Sequence, residues 1–496
     1  MRVYAMDQIR PFKKITTGVQ GLDTILGGGI LYGGTYLFIG PPGSGKTILA
    51  NQIAFHQINQ GGRALYTTLL AESHGRMFGH MISLDFFDQK QLANSYNFIS
   101  GYHVLENEGF KGFLKFIGQA VIKFKASLII IDGIASAENL SSNQITFKKF
   151  VHELNSILST TGCTALLLSS MDTHNPNPEH TMVDGIIELS FLEREMTTSR
   201  QIEVKKLRGC NHLMGKHFYK ITESGVSIFP RFEITRGLNY NNTTINLGKK
   251  ISTGVPKLDE MLQGGIIPGE TTTIMGPAGA GKTLLGNLCL LAGAKKKIPS
   301  YYFGMYEPPS RIIKKFDNLG INFKDYVDKK LIHLQWLQLS DHIVDEVLER
   351  ILDHIKKHKI QLFFLEGVCG FEKSSLYREN RMHKVFTAFS NELRGMGITT
   401  LFTDETDILT KKFNSVSAVS NLSSVTDNII YLQYNYYKNK LYHLLSIIKA
   451  RESGADFGVH QIKILPKVGI EIGPPLKHEI INFLVDTTGK PSGRSR

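Results

Sequence analysis

Two stretches of eight residues in this sequence have the residue types that bind phosphate: Gly40 to Thr47 and Gly276 to Thr283, both reading G-x-x-x-x-G-K-[ST]. In such a loop the glycines let successive backbone amides point at an anion, and the following helix adds the positive end of its dipole. The lysine reaches the β- and γ-phosphates of a nucleotide, and the last hydroxyl is a ligand of Mg²⁺. The predicted contacts are Gly43, Ser44, Gly45, Lys46 and Thr47, then Gly279, Ala280, Gly281, Lys282 and Thr283. We therefore predict two sites for ATP and Mg²⁺.

Each loop also has the flanking sequence that such a site needs. The apolar run 36–39 leads into the first loop and the run 271–275, which is rich in β-branched residues, leads into the second; helix-forming residues follow at 48–50 and 284–285. The order strand, loop, helix distinguishes a phosphate-binding loop from a chance glycine-rich turn.

A carboxylate that supports Mg²⁺ is expected at the end of another strand in each half of the chain. Asp132 follows the apolar run 128–131, and Glu366 follows the run 362–365. Either side chain could hold the metal through water at the carboxyl end of its strand. Because glutamate is one methylene longer and Mg²⁺ tolerates little departure from an octahedron, we expect the metal geometry of the second site to be shifted.

Hydrolysis also requires a group that orients or deprotonates water. In the second half the candidate is Glu307, which follows the predicted strand 301–303. At the same offset the first half has Ala71, followed by Glu72. Since alanine cannot move a proton, we expect the first site to bind ATP and to cleave it slowly unless Glu72 acts as the base.

The two loops belong to a duplication of a whole domain. The segment that begins at Ile15 recurs at Ile251, and both loops keep the same offset of 236 residues. This period is too long for a solenoid repeat. We predict a first domain at 1–237, a linker at 238–249 that lacks periodicity, a second domain at 250–475 and a C-terminal tail at 476–496.

Both halves are predicted to have an α/β fold. Apolar runs bounded by polar turns lie at 64–66, 128–131 and 164–168 in the first half and at 301–303, 362–365 and 399–402 in the second. Continuous runs of this kind are typical of strands that are buried on both faces. We therefore expect a mostly parallel sheet flanked by helices in each domain.

The composition is that of an ordinary globular protein with a basic surplus. The 496 residues include 57 Lys and Arg against 44 Asp and Glu, for a net charge of +13. The surplus is dispersed, so nucleotide binding explains it at least as well as nucleic-acid binding. The four cysteines form no C-x-x-C pair, which argues against a disulfide framework or a cysteine metal site. With no signal-peptide core and no apolar run of about 20 residues, we expect a cytoplasmic protein that does not enter a membrane.

With these motifs the sequence resembles the KaiC and KaiC-like ATPases, which have two tandem RecA-like P-loop domains. The resemblance covers nearly the whole chain. Both halves begin with I-[ST]-T-G-V-x-x-L-D, at 15–23 and 251–259, and the first half ends with K-x-R-G-x-x-H at 206–212 and F-P-R at 229–231. The second half keeps K-x-R at 449–451 but has Glu452 in place of the glycine.

The resemblance implies a hexameric ring in which each copy completes the nucleotide site of its neighbour. Lys206 and Arg208 of the first half, and Lys449 and Arg451 of the second, are expected to reach the γ-phosphate that the neighbouring subunit binds. Fixed cations at that place stabilise the spreading charge of phosphoryl transfer. His212 is implied as a further contact to the nucleotide.

The resemblance also implies serine/threonine autokinase activity in the second domain. Ser423 and Ser424 precede T-D-x-I-I at 426–430, which makes them the expected phosphorylation sites. Kai-type regulatory partners are implied as well. The tail after Pro475 matches no partner-binding motif, which favours a role in signalling or stress adaptation over a complete circadian oscillator.

Three hypotheses follow for the function. The first is an ATP-binding and hydrolysing homohexamer with autokinase activity. The second is a RecA-type, DNA-dependent ATPase, which would use the basic surplus but for which the sequence offers no zinc finger, helix-turn-helix or aromatic-basic loop. The third is a scaffold whose nucleotide sites switch its assembly with little hydrolysis, and Ala71 and Glu366 keep it open.

Overall fold

The computed structural model describes residues 13–69, 74–139, 144–170, 182–194, 196–236, 249–338, 342–372, 379–406, 425–437, 440–451 and 454–476. Its contacts divide the chain into two units, residues 1–231 and 232–496. Each unit is described by itself.

In the first unit the strands are β1 (Lys14–Ile15), β2 (Ile30–Leu31), β3 (Thr35–Ile39), β4 (Ala64–Thr68), β5 (Tyr96–Ser100), β6 (Leu128–Asp132), β7 (Thr164–Ser169), β8 (Gly185–Arg194), β9 (Thr197–Leu207), β10 (Lys216–Thr222) and β11 (Gly225–Phe229). The helices are α1 (Leu22–Ile25), α2 (Lys46–Asn59), α3 (His74–Met81), α4 (Tyr102–Phe124), α5 (Ile134–Asn139) and α6 (Gln144–Thr161), with a 3₁₀ turn at Gln89–Gln91.

Nine of these strands form one sheet, in the order β11-β10-β9-β8-β3-β7-β6-β4-β5 among the described residues. The strands from β8 to β5 are parallel, and β9, β10 and β11 are antiparallel. The strand that leads into the first phosphate-binding loop, β3, lies between β7 and β8. It is therefore covered on both sides by neighbouring strands.

Alternation along the buried strands divides the core of the first unit between the two faces of the sheet. Tyr36 and Phe38 of β3 pack on one face with the apolar side of α2. Leu37 and Ile39 pack on the other face with α4 and α6. Because successive side chains of a strand point to opposite faces, a strand between two helical layers must be apolar throughout, as β3 is.

In the second unit the helices are α7 (Phe232–Thr235), α8 (Pro256–Met261), α9 (Lys282–Lys295), α10 (Pro309–Asn318), α11 (Lys324–Asp328), α12 (Val344–His358), α13 (Val368–Glu372) and α14 (Glu379–Gly395). The strands are β12 (Thr271–Gly276), β13 (Ser300–Gly304), β14 (Ile332–Trp336), β15 (Leu362–Glu366), β16 (Thr399–Glu405), β17 (Asn428–Tyr437), β18 (Lys440–Ala450), β19 (His460–Leu465) and β20 (Gly469–Pro475).

The sheet of the second unit repeats the plan of the first. Its described strands have the order β14-β13-β15-β16-β12-β17-β18-β19-β20. Strands β14 to β17 are parallel, and β18, β19 and β20 are antiparallel. The strand β12, which leads into the second loop, occupies the same central place as β3. The predicted α/β fold with two mostly parallel, helix-flanked sheets is confirmed.

The two units meet six residues earlier in the sequence than the predicted end of the first domain at 237, because α7 packs within the second unit. The amide of Phe232 donates to Asp345 at 2.9 Å, and its ring lies against that of Phe389. Glu233 forms a two-pronged ion pair with Arg381. The predicted linker 238–249 and tail 476–496 lie outside the described residues, except Lys249 and Leu476.

No described helix combines the length and the apolar character needed to cross a membrane.

Candidate nucleotide sites and the opposite edge of each sheet

The first phosphate-binding loop connects β3 to α2 through two glycines with positive φ. Gly43 has φ 77° and Gly45, the residue before the first turn of α2, has φ 93°. These angles cost little only for glycine. They turn the loop so that its backbone amides lie next to the N-terminus of a 14-residue helix. This arrangement favours the binding of an anion. An added Cβ at Gly43 would meet no atom within 4 Å, so the loop is open at this residue.

The loop lysine of each unit folds over its own loop. Lys46 Nζ donates to the carbonyls of Gly40 at 2.7 Å and Pro41 at 3.0 Å. Lys282 Nζ makes the equivalent bonds to Gly276 at 2.7 Å and Pro277 at 2.8 Å. Burial lowers the pKa of Lys46, and the charge of Asp132 opposes this shift. Each ammonium group is therefore held directly above the loop, where a phosphate oxygen could replace a carbonyl as its partner.

The predicted metal-supporting carboxylate lies beside the loop hydroxyl in the first unit. Thr47 Oγ1 donates to Asp132 Oδ2 at 3.2 Å, and the phenol of Tyr66 donates to the same oxygen at 2.6 Å. Asp132 is thus oriented by a tyrosine from the neighbouring strand β4. Outer partners of this kind hold a metal-supporting carboxylate in place.

The second unit has the same three side chains in the same relation. Thr283 donates to one carboxylate oxygen of Glu366, and Tyr302 donates to the other. The two hydroxyl donors bond to different oxygens of Glu366, whereas in the first unit both bond to the same oxygen of Asp132. Burial raises the pKa of Glu366, the bonds from Thr283 and Tyr302 oppose the rise, and the charge of nearby Glu307 adds to it.

A cavity of about 410 Å³ opens beside the second loop. Gly279, Lys282 and Thr283 line it together with Glu307 and Lys315. Glu307 is the predicted base, and its carboxylate pairs with the ammonium of Lys315 on α10. Its other oxygen, Oε2, is buried without a hydrogen-bond partner. The structure therefore brings Glu307 to the loop, while the pairing with Lys315 occupies one of its oxygens.

Four residues that the sequence singled out lie outside the described part of the chain. They are Ala71 and Glu72, considered for hydrolysis in the first unit, and Ser423 and Ser424, the expected phosphorylation sites.

The cation pair of the first unit, Lys206 and Arg208, lies at the end of the sheet where β3 begins, whereas the loop lies at the end where β3 stops. Arg208 Nη1 is 3.8 Å from Asp184 Oδ1. The other oxygen of Asp184 accepts a hydrogen bond from the amide of Thr35, the first residue of β3, at 3.0 Å. The loop starts only after the last residue of β3. At roughly 3.3 Å per residue, the five residues of β3 separate Asp184 from the loop by about 16 Å.

The second unit has its cation pair, Lys449 and Arg451, at the corresponding end of its sheet, where β12 begins. Arg451 Nη1 is 3.6 Å from Asp427 Oδ1, and Asp427 Oδ2 accepts from the amide of Thr271, the first residue of β12. Lys449 Nζ donates to the carbonyl of Thr426 at 2.6 Å. The lysine therefore points away from the loop of its own unit.

Like charges lie close together at both of these edges. Burial lowers the pKa of Lys206, the charge of Arg208 lowers it further, and Asp184 opposes the shift. For Lys449 the same two causes act, with Arg451 as the neighbouring cation. In the second unit Arg394 is a further cation on the same carboxylate, with its Nη2 2.7 Å from Asp427 Oδ2. Closely spaced cations of this kind favour the binding of an anion.

His212 follows Arg208 at this edge of the first unit and does not lie at the loop of its own unit. The next residue, Leu213, donates its amide to the carbonyl of Ile25 at 2.9 Å, which ties the turn to the end of α1. His212 is half-buried there.

Sequence reasoning missed the groups that orient these predicted residues. Tyr66 and Tyr302 hold the two carboxylates, and Asp184 and Asp427 hold the two cation pairs. Each member of these pairs occupies the same place in both copies of the duplicated domain. A search for polar residues shared at the repeat offset could have found the tyrosines, which are 236 residues apart.

Comparisons with known proteins match both halves of the chain. A family model with the description "ATPase: KaiC" matches residues 15–233 and again residues 251–477. The chain is 25% identical to the circadian clock oscillator protein KaiC of Rippkaea orientalis, over 97% of this chain and 92% of that protein. It is 24% identical to KaiC 1 of Synechocystis sp., over 97% and 92% of the two chains. It is also 25% identical to KaiC of Picosynechococcus sp., over 98% and 93%.

Proposed function

Because the chain belongs to the KaiC ATPase family, we propose that it binds and hydrolyses ATP in a ring of six identical copies. In this ring the cation pair of one copy completes the nucleotide site of the next. The observation that carries the proposal is the position of Lys449 and Arg451, which lie at the opposite edge of the sheet from Lys282 in their own unit.

The two ends of each sheet are chemically complementary. At one end the backbone amides of the phosphate-binding loop form a cradle for an anion, and at the other end two cations lie close together. A triphosphate held in the cradle would bring negative charge to the cations of another copy. A contact between two different surfaces of identical copies is heterologous, and such contacts generate closed rings when the rotation between copies closes.

The residues of each cradle fit a nucleotide with its metal ion. The amides of residues 43–47 and 279–283 would hold the phosphates, and Lys46 and Lys282 would exchange their loop carbonyls for phosphate oxygens. Thr47 with Asp132, and Thr283 with Glu366, would hold Mg²⁺. The ion supplies positive charge to the β- and γ-phosphates. Hydroxyl, carboxylate and water oxygens are the ligands that Mg²⁺ prefers.

Glu307 is proposed as the residue that orients or deprotonates the attacking water in the second unit. Its place in the cavity beside Lys282 supports this role, because a general base must lie within hydrogen-bond reach of the proton that it takes. One oxygen of Glu307 pairs with Lys315, and the other has no partner. Rotation of the Glu307 carboxylate into the cavity would bring this unpaired oxygen to the attacking water, whose proton it would accept.

The second part of the proposal is autokinase activity, with Ser423 and Ser424 as phosphate acceptors. It rests on their position before the T-D-x-I-I segment at 426–430. Incubation with labelled ATP and mapping of the phosphate would test it. The double variant Ser423→Ala/Ser424→Ala should lose the label, whereas Ser415→Ala/Ser417→Ala in the same segment should keep it. Label that survives in the first variant would refute this assignment.

The proposed biological role is regulation in signalling or in a clock-like system, with Kai-type protein partners. The names of the relatives, which are circadian clock oscillator proteins, support this role.

Mass measurement and ATP turnover test the proposal as a whole. The mass in solution should rise to that of a hexamer with ATP and Mg²⁺, and Glu307→Gln should lower turnover without loss of assembly. A nucleotide-dependent hexamer whose turnover already equals that of Glu307→Gln would instead support a scaffold with little hydrolysis. A monomer that takes up no ATP would contradict the proposal.

A further inference from the structure

Three histidines converge at the outer edge of the sheet in the second unit, away from the phosphate-binding loop. His333 lies on the edge strand β14, and His354 and His358 lie on α12. Their ring centroids are 4.3 to 5.1 Å apart. One nitrogen from each ring can be chosen so that all three lie within 4.8 Å of one another.

Two features of the fold bring these rings together. His354 and His358 are four residues apart on one helix, so they lie on the same face. His333 pairs in register with Tyr301 of β13, and the ring of Tyr301 lies 4.4 Å from that of His354. The helix face with both histidines therefore packs on the strand face that carries the third.

One buried nitrogen of this cluster has no hydrogen-bond partner. His354 Nδ1 lies 3.1 Å from Gln335 Nε2, while His354 Nε2 is buried without any partner. A buried polar atom without a partner is costly. Since the unpaired nitrogen belongs to a ring surrounded by two other imidazoles, a cation with affinity for nitrogen would satisfy it.

We propose that His333, His354 and His358 bind one divalent transition-metal ion, with Zn²⁺ as the best-suited ion and water as the fourth ligand. This proposal is independent of ATP binding and hydrolysis.

Three imidazoles with an open fourth position are a known donor set for Zn²⁺. Nitrogen ligands at 2.0–2.1 Å from a tetrahedral ion lie about 3.3 Å apart, so modest ring rotations would close the site. The set contains three imidazoles and no carboxylate, which disfavours Mg²⁺ and Ca²⁺ because both require oxygen ligands.

Gln335 would serve as the positioning residue of the site. Its Oε1 accepts a hydrogen bond from Tyr301 at 2.7 Å, and its Nε2 faces His354. A metal-bound Nε2 requires the proton of His354 on Nδ1, and this N–H needs an acceptor. Rotation of the Gln335 amide by half a turn supplies its oxygen to His354 and its nitrogen to Tyr301, whose hydroxyl oxygen can accept.

Zinc titration of the untagged full-length chain tests the proposal. The protein is first freed of metal with a chelator and then titrated with Zn²⁺ in excess Mg²⁺ without nucleotide. Wild type and the control His383→Gln, an exposed histidine of α14, should each bind one equivalent. His333→Gln, His354→Gln and His358→Gln should each weaken binding by at least about tenfold, and Gln335→Leu by about tenfold.

Cobalt provides a second, spectroscopic measurement. Co²⁺ in wild type should give the intense visible absorption of four-coordinate cobalt, and the three cluster variants should lose it while their far-UV circular dichroism is unchanged. Should a cluster variant fail to fold, the tenfold weaker Zn²⁺ binding expected of Gln335→Leu tests the site with the three ligands intact. Binding of less than half an equivalent of Zn²⁺ by wild type, or equal binding by wild type and all cluster variants, would overturn the proposal.

Discussion

Lys449 donates a hydrogen bond to the backbone carbonyl of Thr426, at the end of the sheet where β17 begins and β12 has not yet reached its loop. The contact fixes the direction of the lysine. Since Lys282 follows β12 at the far end, the two lysines of this unit cannot share one phosphate group. The structure thus separates the loop lysine from the proposed catalytic cation within one copy.

Removal of the second cation pair should abolish turnover without abolishing binding. In Lys449→Ala/Arg451→Ala, hydrolysis by the second unit should fall by about 10³-fold or more, because the charge of the transferring group loses its fixed partners. Binding of a non-hydrolysable ATP analogue should change only a few-fold, since the cradle is intact. The measurement is analogue titration beside steady-state turnover, and loss of both in parallel would count against the separation of roles.

The tyrosine that orients Glu366 should affect metal affinity. Tyr302→Phe removes one of the two hydroxyl donors to this carboxylate, and the Mg²⁺ affinity of the nucleotide-bound second site should fall by about 10–100-fold. Tyr301→Phe is the matched control, because its hydroxyl bonds to Gln335 on the other side of the strand. Equal effects of the two changes would indicate a general packing defect.

The two phosphate-binding loops differ in polarity at one position, and exchanging the residues there should change the stability of the two units in opposite directions. Ser44 is fully buried and its hydroxyl has no partner, whereas the second loop has Ala280 at the same offset. Ser44→Ala should raise the free energy of unfolding of the first unit by up to about 1 kcal/mol, and Ala280→Ser should lower that of the second by about 1–3 kcal/mol. Denaturant titration without nucleotide checks both, and effects of the same sign would contradict this explanation.

The ion-pair group that ties α7 to the second unit should be essential for its stability. Arg381 bonds to Glu233 at 2.9 and 3.0 Å and to Asp345 at 2.6 Å, and Asp345 is 1% exposed. Arg381→Met removes the guanidinium that neutralises a buried carboxylate, so the free energy of unfolding of this unit should fall by about 3–5 kcal/mol. Lys257→Met breaks an exposed pair with Glu260 and should leave the unfolding midpoint unchanged.

Local patterns predicted the loops and the strands, because both depend on neighbouring residues. The glycine pattern around Lys46, the apolar runs of β3 and β6 and the carboxylate Asp132 at a strand end are all visible within short segments. The orienting tyrosine is a different case. Tyr66 comes from a separate strand, and its bond to Asp132 follows from the order of strands in the sheet, which the sequence alone did not provide.

Long-range pairing also explains what sequence reasoning missed elsewhere. Asp184 meets Arg208 only because β8 and β9 are antiparallel, and His333 meets His354 only because α12 packs on the edge strand. The end of the first domain was predicted at 237, where the aperiodic linker begins, and this places α7 (Phe232–Thr235) in the first domain. Its partners Asp345 and Arg381, more than a hundred residues later, draw it into the second unit.

A mixing experiment tests the shared nucleotide site most directly. Two chains are prepared, one with Lys282→Ala and one with Lys449→Ala/Arg451→Ala, both with Lys206→Ala/Arg208→Ala to silence the first unit. In a ring made of either chain alone, no intact loop of one copy faces an intact cation pair of the next copy. When they are mixed before ATP is added, about one quarter of the contacts in random rings should combine both, so turnover should recover to about one quarter of that of the chain with an unaltered second unit. Turnover of the mixture no greater than the average of the two separate chains would contradict the account.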